Sequence, residues 1–279
     1  MRNAGKQFGE AAMSYPFGIH HSISNEDYHA TKQVEGHTAV SSSFAKAWHS
    51  LTPAHAVADK PLRQSTAFDI GTATHSWALE GLLPIKGPAT RRGAAWQNAV
   101  AEAELLGSTA LTESDYERVE QMVQALHRNP AIDKLLSHKK GIVEASVFAL
   151  HKSGICMKAR PDLYLKKQGI MVDLKTTQSA EPYEFERKGI HGLGYGLQAA
   201  WYCKTLSLAG VNIKRFLFAN VEKEPPFATS IVEVGDALMK HCSEAVERIL
   251  QEITEAEKTN TYATGWPTVH VAQLPAWLD

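Results

Sequence analysis

Apolar and polar positions follow two different periods along the chain, and the period changes near residue 141. Before that point apolar residues recur at helical spacing. "SSSFAKAWHS" (41–50) sets a serine run ahead of such a segment, which marks a helix start, and Pro53 interrupts or restarts that helix. "STAFDIGTATHSWALEGLL" (65–83) predicts a second helix with small residues on one face. "AAWQNAVAEAELLG" (94–107) and "TESDYERVEQMVQALHRNP" (112–130) predict two more, the last with a Thr-x-x-Asp start and a Pro stop. After residue 141 the pattern shortens. "GIVEASVFAL" (141–150), "GICMKARPDLYLKK" (154–167) and "GIMVDLKTT" (169–177) are rich in branched residues, and each opens with Gly. They predict three consecutive strands in an antiparallel meander. A glycine-rich loop, "KGIHGLGYG" (188–196), is expected to feed a helix over 197–210 that Gly210 ends. Two further strands over 214–225 and 227–234 and a closing helix over 237–258 complete the pattern.

This layout predicts an α/β (α+β) fold in one domain spanning 16–279, with a polar, mobile tail over 1–15. The chain has 279 residues, 44% hydrophobic and 21% charged, which suits a globular domain with a full core. Its net charge of −1 gives no global basic field for nucleic acid, although a local groove would suffice. Three widely spaced cysteines, Cys156, Cys203 and Cys242, form neither a disulfide framework nor a metal-cluster spacing. We read them as packing residues in a reducing compartment. No apolar run reaches membrane-spanning length, and the first twenty residues lack a signal-peptide core. The expected location is the cytoplasm, with no membrane partner.

The chemistry sits in "RPDLYLKKQGIMVDLKTT" (160–177). On a strand, Asp173 and Lys175 point the same way. Met171, Val172 and Leu174 around them are apolar, as in a central strand. A hairpin through Lys167-Gln168-Gly169 would bring Asp162 close to Asp173, and Glu144 could add a third carboxylate. Converging carboxylates repel unless a cation joins them. Hard oxygen ligands select Mg²⁺, with Mn²⁺ as substitute. A neighbouring lysine can orient or deprotonate a water and offset charge on a phosphate, so the set suits phosphodiester hydrolysis. Taken alone, an Asp/Lys pair on a strand is equally a solvated face with an exposed ion pair.

Pro161-Asp162, ten residues, then Asp173-Leu174-Lys175 resembles the PD-(D/E)xK nuclease signature. "ISNEDYHA" (23–30), "GTATHSWALEG" (71–81), "KARPDLYL" (158–165), "VDLKTT" (172–177), "LQAAWYCKTL" (197–206) and "GWPTVHVAQLPAW" (265–277) resemble, in order, the C-terminal nuclease domain of RecE, exodeoxyribonuclease VIII, and its phage relatives. The resemblance implies a nuclease core of a central mixed sheet flanked by helices. It implies that His75, Asp162 and Asp173 hold the metal, with the Leu174 carbonyl beside them, and that Lys175 is the catalytic lysine. Gln198 and Tyr202 match the Gln-x-x-x-Tyr of the RecB-like branch. The implied activity is ATP-independent 5′-to-3′ digestion of linear double-stranded DNA, leaving 3′ tails. The implied partners are further copies in a ring, as trimer or tetramer, and a RecT-type annealing protein. An endonuclease on the same core and a non-catalytic DNA-end-binding protein are the competing readings.

DNA contacts are harder to read. Arg91-Arg92, Lys139-Lys140 and Lys166-Lys167 are basic pairs that could touch phosphates or be plain surface. Ser41, Ser42 and Ser43 stand at a helix start, where hydroxyls either cap the helix or seat a 5′-phosphate, with Ser43 the candidate.

Overall fold

The computed structural model describes residues 15–58, 65–266 and 269. The expected tail over 1–15, apart from Tyr15, and most of the 265–277 segment lie outside the described residues. In chain order the elements begin β1 (Gly18–His20), α1 (Asn25–Ala30), β2 (Gln33–Val34), β3 (His37–Ser41), α2 (Ser42–Ser50), α3 (Pro53–Val57) and α4 (Thr66–His75). Then come β4 (Ile85–Lys86), α5 (Gly93–Leu105), β5 (Ala110–Leu111), α6 (Glu113–Arg128) and α7 (Pro130–Leu136). The strand-rich part holds β6 (Ile142–Val143), β7 (Ser146–Leu150), β8 (Cys156–Ala159), β9 (Leu163–Leu165) and β10 (Ile170–Thr177). The chain closes with α8 (Pro182–Phe185), α9 (Tyr195–Leu208), β11 (Arg215–Glu222), β12 (Thr229–Glu233) and α10 (Asp236–Thr259).

Two five-stranded sheets result, ordered β1-β7-β8-β3-β2 and β12-β11-β10-β9-β6, with β4 and β5 as a separate pair. The expected α/β architecture is therefore present, and so is the expected antiparallel meander, but it is split between the two sheets. Two of its strands each break in two and change sheet. The first breaks at Glu144, between β6 and β7, and the second at residues 160–162, between β8 and β9. Glu144 has φ +51°, the left-handed region, which costs a non-glycine residue about 1 kcal/mol or more and re-aims the chain. Pro161 cannot donate to a ladder and stops pairing at the second break. The antiparallel order is kept across the breaks, in the pairing of β7 with β8, of β6 with β9 and of β9 with β10. In addition β10 pairs with β11 in parallel, through a connection that carries α8 and α9.

Strand alternation then divides the core. Val172 and Leu174 of β10 join Ile70 and Ala73 of α4 and Val119, Met122 and Leu126 of α6 in one cluster. Met171 of β10 joins Phe216 and Phe218 of β11, Trp201 of α9 and Val246 of α10 in another. Helix α6 starts as expected, with the Thr112 hydroxyl accepting from the Asp115 amide, but Pro130 opens a second helix, α7, instead of only ending the first. The 65–83 helix is α-helical only to His75 and continues as a π-helical turn over Ser76–Glu80, ended by Gly81 in left-handed conformation. The glycine-rich "loop" over 188–196 is largely a second π-helical turn, Glu186–Gly192, with Gly194 at φ +69° turning the chain into α9.

Candidate active site

On β10, Asp173 and Lys175 share the face of Met171 and point towards α9. Asp173 is 1% exposed, and its Oδ2 accepts a hydrogen bond from Gln198 Nε2 at 2.7 Å. Its Oδ1 lies against the Lys175 ammonium and has no hydrogen bond of good geometry. A carboxylate buried this deeply is tolerated only because both oxygens meet a donor or a cation. The Lys175 ammonium stands over the Tyr195 ring at 4.7 Å. Burial pulls Lys175 down, but Asp173 and then Asp162 outweigh it and leave the ammonium above its ordinary value. Gln198 passes the contact on, since its Oε1 accepts from Lys46 Nζ of α2 at 3.2 Å.

The two strand breaks supply the other half of the site. Asp162 Oδ2 accepts the Leu174 amide at 2.7 Å and lies 3.4 Å from His75 Nδ1, at the end of α4. The Glu144 amide donates to the Asp162 carbonyl at 3.1 Å, which holds the two breaks side by side. Ligand atoms of His75, Glu144 and Asp162 all lie within 4.8 Å of one another. Burial, then repulsion from Asp173, pushes Asp162 well above the carboxylate range. Burial, then Asp162, raises Glu144 to about 7, against the pull of Arg160. His75 is lowered, by burial first and Lys175 second, so its ring is neutral and offers a lone pair. Crowded acids with raised pKa values beside a neutral imidazole are the electrostatic signature of a cation site, because a cation would reverse each penalty.

Not every residue singled out in the sequence converges here. Glu144, His75 and Asp162 form one cluster, while Asp173, Lys175 and Gln198 form the adjoining one, joined through Leu174. Tyr202 is buried, hydrogen-bonded with Ser42, and burial raises its phenol well above the ordinary value. Ser41 is the N-cap of α2, Ser42 is buried, and Ser43 is exposed in the first turn. Arg91 is held by Asp69 and Asp115 and stacks near Trp96, whereas Arg92 is exposed at the start of α5. Sequence reasoning passed over Lys46, Tyr195 and Arg160. Arg160 could have been found, since it adjoins Pro161-Asp162. Its Nε donates to Glu144 Oε2 at 2.7 Å. Two clefts open on the site. One, about 630 Å³, reaches His75, Glu144 and Arg160. The other, about 430 Å³, reaches Lys175 and Tyr195.

A search of curated proteins finds no match. Among solved structures, a candidate exonuclease from Eubacterium rectale is similar, with TM-score 0.57 and 18% identity over 85% of this chain and 87% of that one, and it shows a shared fold. An alkaline exonuclease from Laribacter hongkongensis (TM-score 0.31, 18% identity, 70% of this chain and 95% of that one) is too distant for structural argument. So is a phage-related exonuclease from Haemophilus somnus 129PT (TM-score 0.34, 11% identity, 78% and 95%). The family model described as "PDDEXK-like domain of unknown function (DUF3799)" matches residues 41–265, which include both strand breaks, all of β10 and the Gln198 helix. By that match, over well more than half its length and around the very acids and lysine that the fold brings together, the chain belongs to the PDDEXK-like DUF3799 family.

Proposed function

We propose that this protein is a divalent-cation-dependent exonuclease that digests linear double-stranded DNA from the 5′ end, without ATP, and releases 5′-mononucleotides. One observation carries the reading: three donors of metal-binding type within 4.8 Å of one another, directly beside a buried acid–lysine pair. The residues fit such a cation. Two carboxylates and a neutral imidazole are hard-to-borderline donors suited to Mg²⁺ or Mn²⁺. Asp173, whose buried Oδ1 meets the Lys175 ammonium, adds a further carboxylate beside them.

His75, Glu144 and Asp162 would hold the ion, with Asp173 and the Leu174 carbonyl adjoining. Bound there, a divalent cation supplies Lewis-acid charge to the scissile phosphate. The protein's own groups do the rest. Lys175, held over Tyr195 and against Asp173, orients the attacking water and offsets negative charge on the phosphoryl oxygens. Gln198 keeps Asp173 in place. Water adds to phosphorus, the P–O3′ bond breaks, and the 3′-oxygen takes up a proton, so the nucleotide leaves with its 5′-phosphate. Exposed Ser43, on the first turn of α2, is our candidate for seating the terminal 5′-phosphate. We include in this reading a homo-oligomeric ring around the duplex and a RecT-type annealing protein that receives the 3′ tail. The sequence resemblance supports both.

The test is digestion of 5′- or 3′-labelled linear duplex, with Mg²⁺ or EDTA, by wild type and Lys175→Ala, with a closed circle as control. The expected result is 5′ label released as mononucleotide only with Mg²⁺, an intact circle, and a variant slower by roughly 10²-fold or more. A cut circle would replace this reading with an endonuclease, and DNA bound but never cut would replace it with an end-binding protein. Substituting Ser43→Ala should erase any rate difference between 5′-phosphorylated and 5′-hydroxyl ends.

A further inference from the structure

The cleft on the His75 side has one wall that lies before residue 41, where the family match begins. That wall is α1. Its Asn25 and His29, four residues apart and so on one helix face, line the same cleft as His75 and Glu144 of the metal-type cluster. Both are exposed, and among the described residues neither side chain has a hydrogen-bond partner.

A helix of six residues does not hold its shape unaided. Here two cations grip it at both ends. Lys158 Nζ, from β8, donates to the carbonyls of Tyr28 at 2.8 Å and Thr31 at 2.7 Å, and reaches that of His29 at 3.5 Å. Arg160 Nη1 donates to the Ile23 carbonyl at 2.9 Å, just ahead of the helix. The buried Tyr28 ring packs between them, 4.9 Å from the Lys158 ammonium and 6.0 Å from the guanidinium. Lys158 is 5% exposed, and a buried ammonium is a costly way to hold a short surface helix if the helix merely covers the core. The same guanidinium also donates to Glu144 at 2.7 Å and to the Ser146 hydroxyl at 2.7 Å. One side chain therefore sets α1 and the Glu144 carboxylate relative to each other.

We propose that α1 is a substrate-binding wall, with Asn25 and His29 hydrogen-bonding the sugar–phosphate backbone of the DNA strand that enters the His75-side cleft, and with Lys158 and Arg160 as its positioning residues. Uncharged donors that meet phosphate carry no base information, which suits digestion without sequence preference. The inference rests on the nuclease reading above.

Full-length wild type, Asn25→Ala/His29→Ala, Lys158→Met and Arg160→Met would be compared by steady-state digestion of blunt linear duplex and by Mn²⁺ binding calorimetry without DNA. The double variant should raise KM roughly 25-fold, at about 5-fold for each lost hydrogen bond, with kcat within about 2-fold and Mn²⁺ affinity unchanged. Lys158→Met should raise KM alone, whereas Arg160→Met should raise KM and also weaken Mn²⁺ binding, because it frees Glu144. A purely structural role would lower the amount of folded protein and leave KM unmoved. If wild type digests DNA and the double variant has the wild-type KM, the wall is not a binding surface and the proposal is overturned with the nuclease reading intact. If wild type neither binds nor cuts duplex DNA, the nuclease reading itself fails, and the wall with it.

Discussion

Glu144 makes the metal-free site pH-sensitive in a direction opposite to most carboxylates, and the size of the effect follows from its surroundings. Folding moves this carboxyl from an ordinary 4.5 to about 7, by burial and by repulsion from Asp162. A raised carboxylate binds more protons in the folded state than in the unfolded state between those values, so stability falls as pH rises across that window. From roughly pH 5.5 to pH 8 the loss works out at about 2 kcal/mol, since each pH unit within the window is worth about 1.4 kcal/mol. A quarter of the side chain (24%) meets solvent, which reduces the expectation to about 1–1.5 kcal/mol. The assay is urea unfolding in EDTA at both pH values, for wild type and Glu144→Gln. The glutamine still offers an oxygen to Arg160 Nε, and its weaker bond is a constant offset that cancels in the pH difference. It also lifts the like charge from Asp162, whose own raised pKa works in the same direction. Wild type should therefore lose stability between the two pH values by at least about 1 kcal/mol more than the variant. Saturating Mn²⁺ should reverse the wild-type slope, because cation binding needs both acids ionised. Parallel pH dependence in the two proteins would refute the reasoning, and would mean that the Arg160 contact keeps Glu144 ionised throughout.

Gln198→Ala removes the donor to a carboxylate oxygen that is almost fully buried, and should destabilise the metal-free protein by roughly 1.5–3 kcal/mol in urea unfolding. A loss below about 0.5 kcal/mol would show that Lys175 alone satisfies Asp173. Arg91 is already held by Asp69 and Asp115, so Arg91→Ala should cost about 1 kcal/mol of stability and leave the salt dependence of DNA binding unchanged. Exposed Arg92 is the better phosphate contact of the pair, and Arg92→Ala should lower the slope of log K against log salt by about 1. Equal slopes for both variants would place neither arginine on the DNA.

The acids and the lysine were legible because strand alternation is a short-range rule. Asp173 and Lys175 had to share a face, and the apolar residues between them had to be core. The helices were legible for the same reason, since period and caps are local. What the pattern could not show is where two strands leave one sheet for another. A left-handed glutamate carries no sequence mark of its own: only the position of Glu144 between two branched-residue runs hints at it, and a continuous strand predicts the same letters. That local event decides the site, because the break at Glu144 and the break at residues 160–162 put two carboxylates side by side against the middle of β10, at Leu174. Lys46 and the grip on α1 depend on packing between segments more than a hundred residues apart, which no periodicity encodes. The chain thus breaks its regular structure where its chemistry is concentrated, and these irregularities are a better guide to the site than the regular elements around them. It follows that restoring regularity should damage function before it damages the fold. Glu144→Gly would relax the backbone at φ +51° yet remove a cation ligand, so it should leave stability close to wild type while weakening Mn²⁺ binding at least 10-fold by calorimetry. A glycine variant that bound Mn²⁺ as wild type does would show that the left-handed turn serves the fold alone.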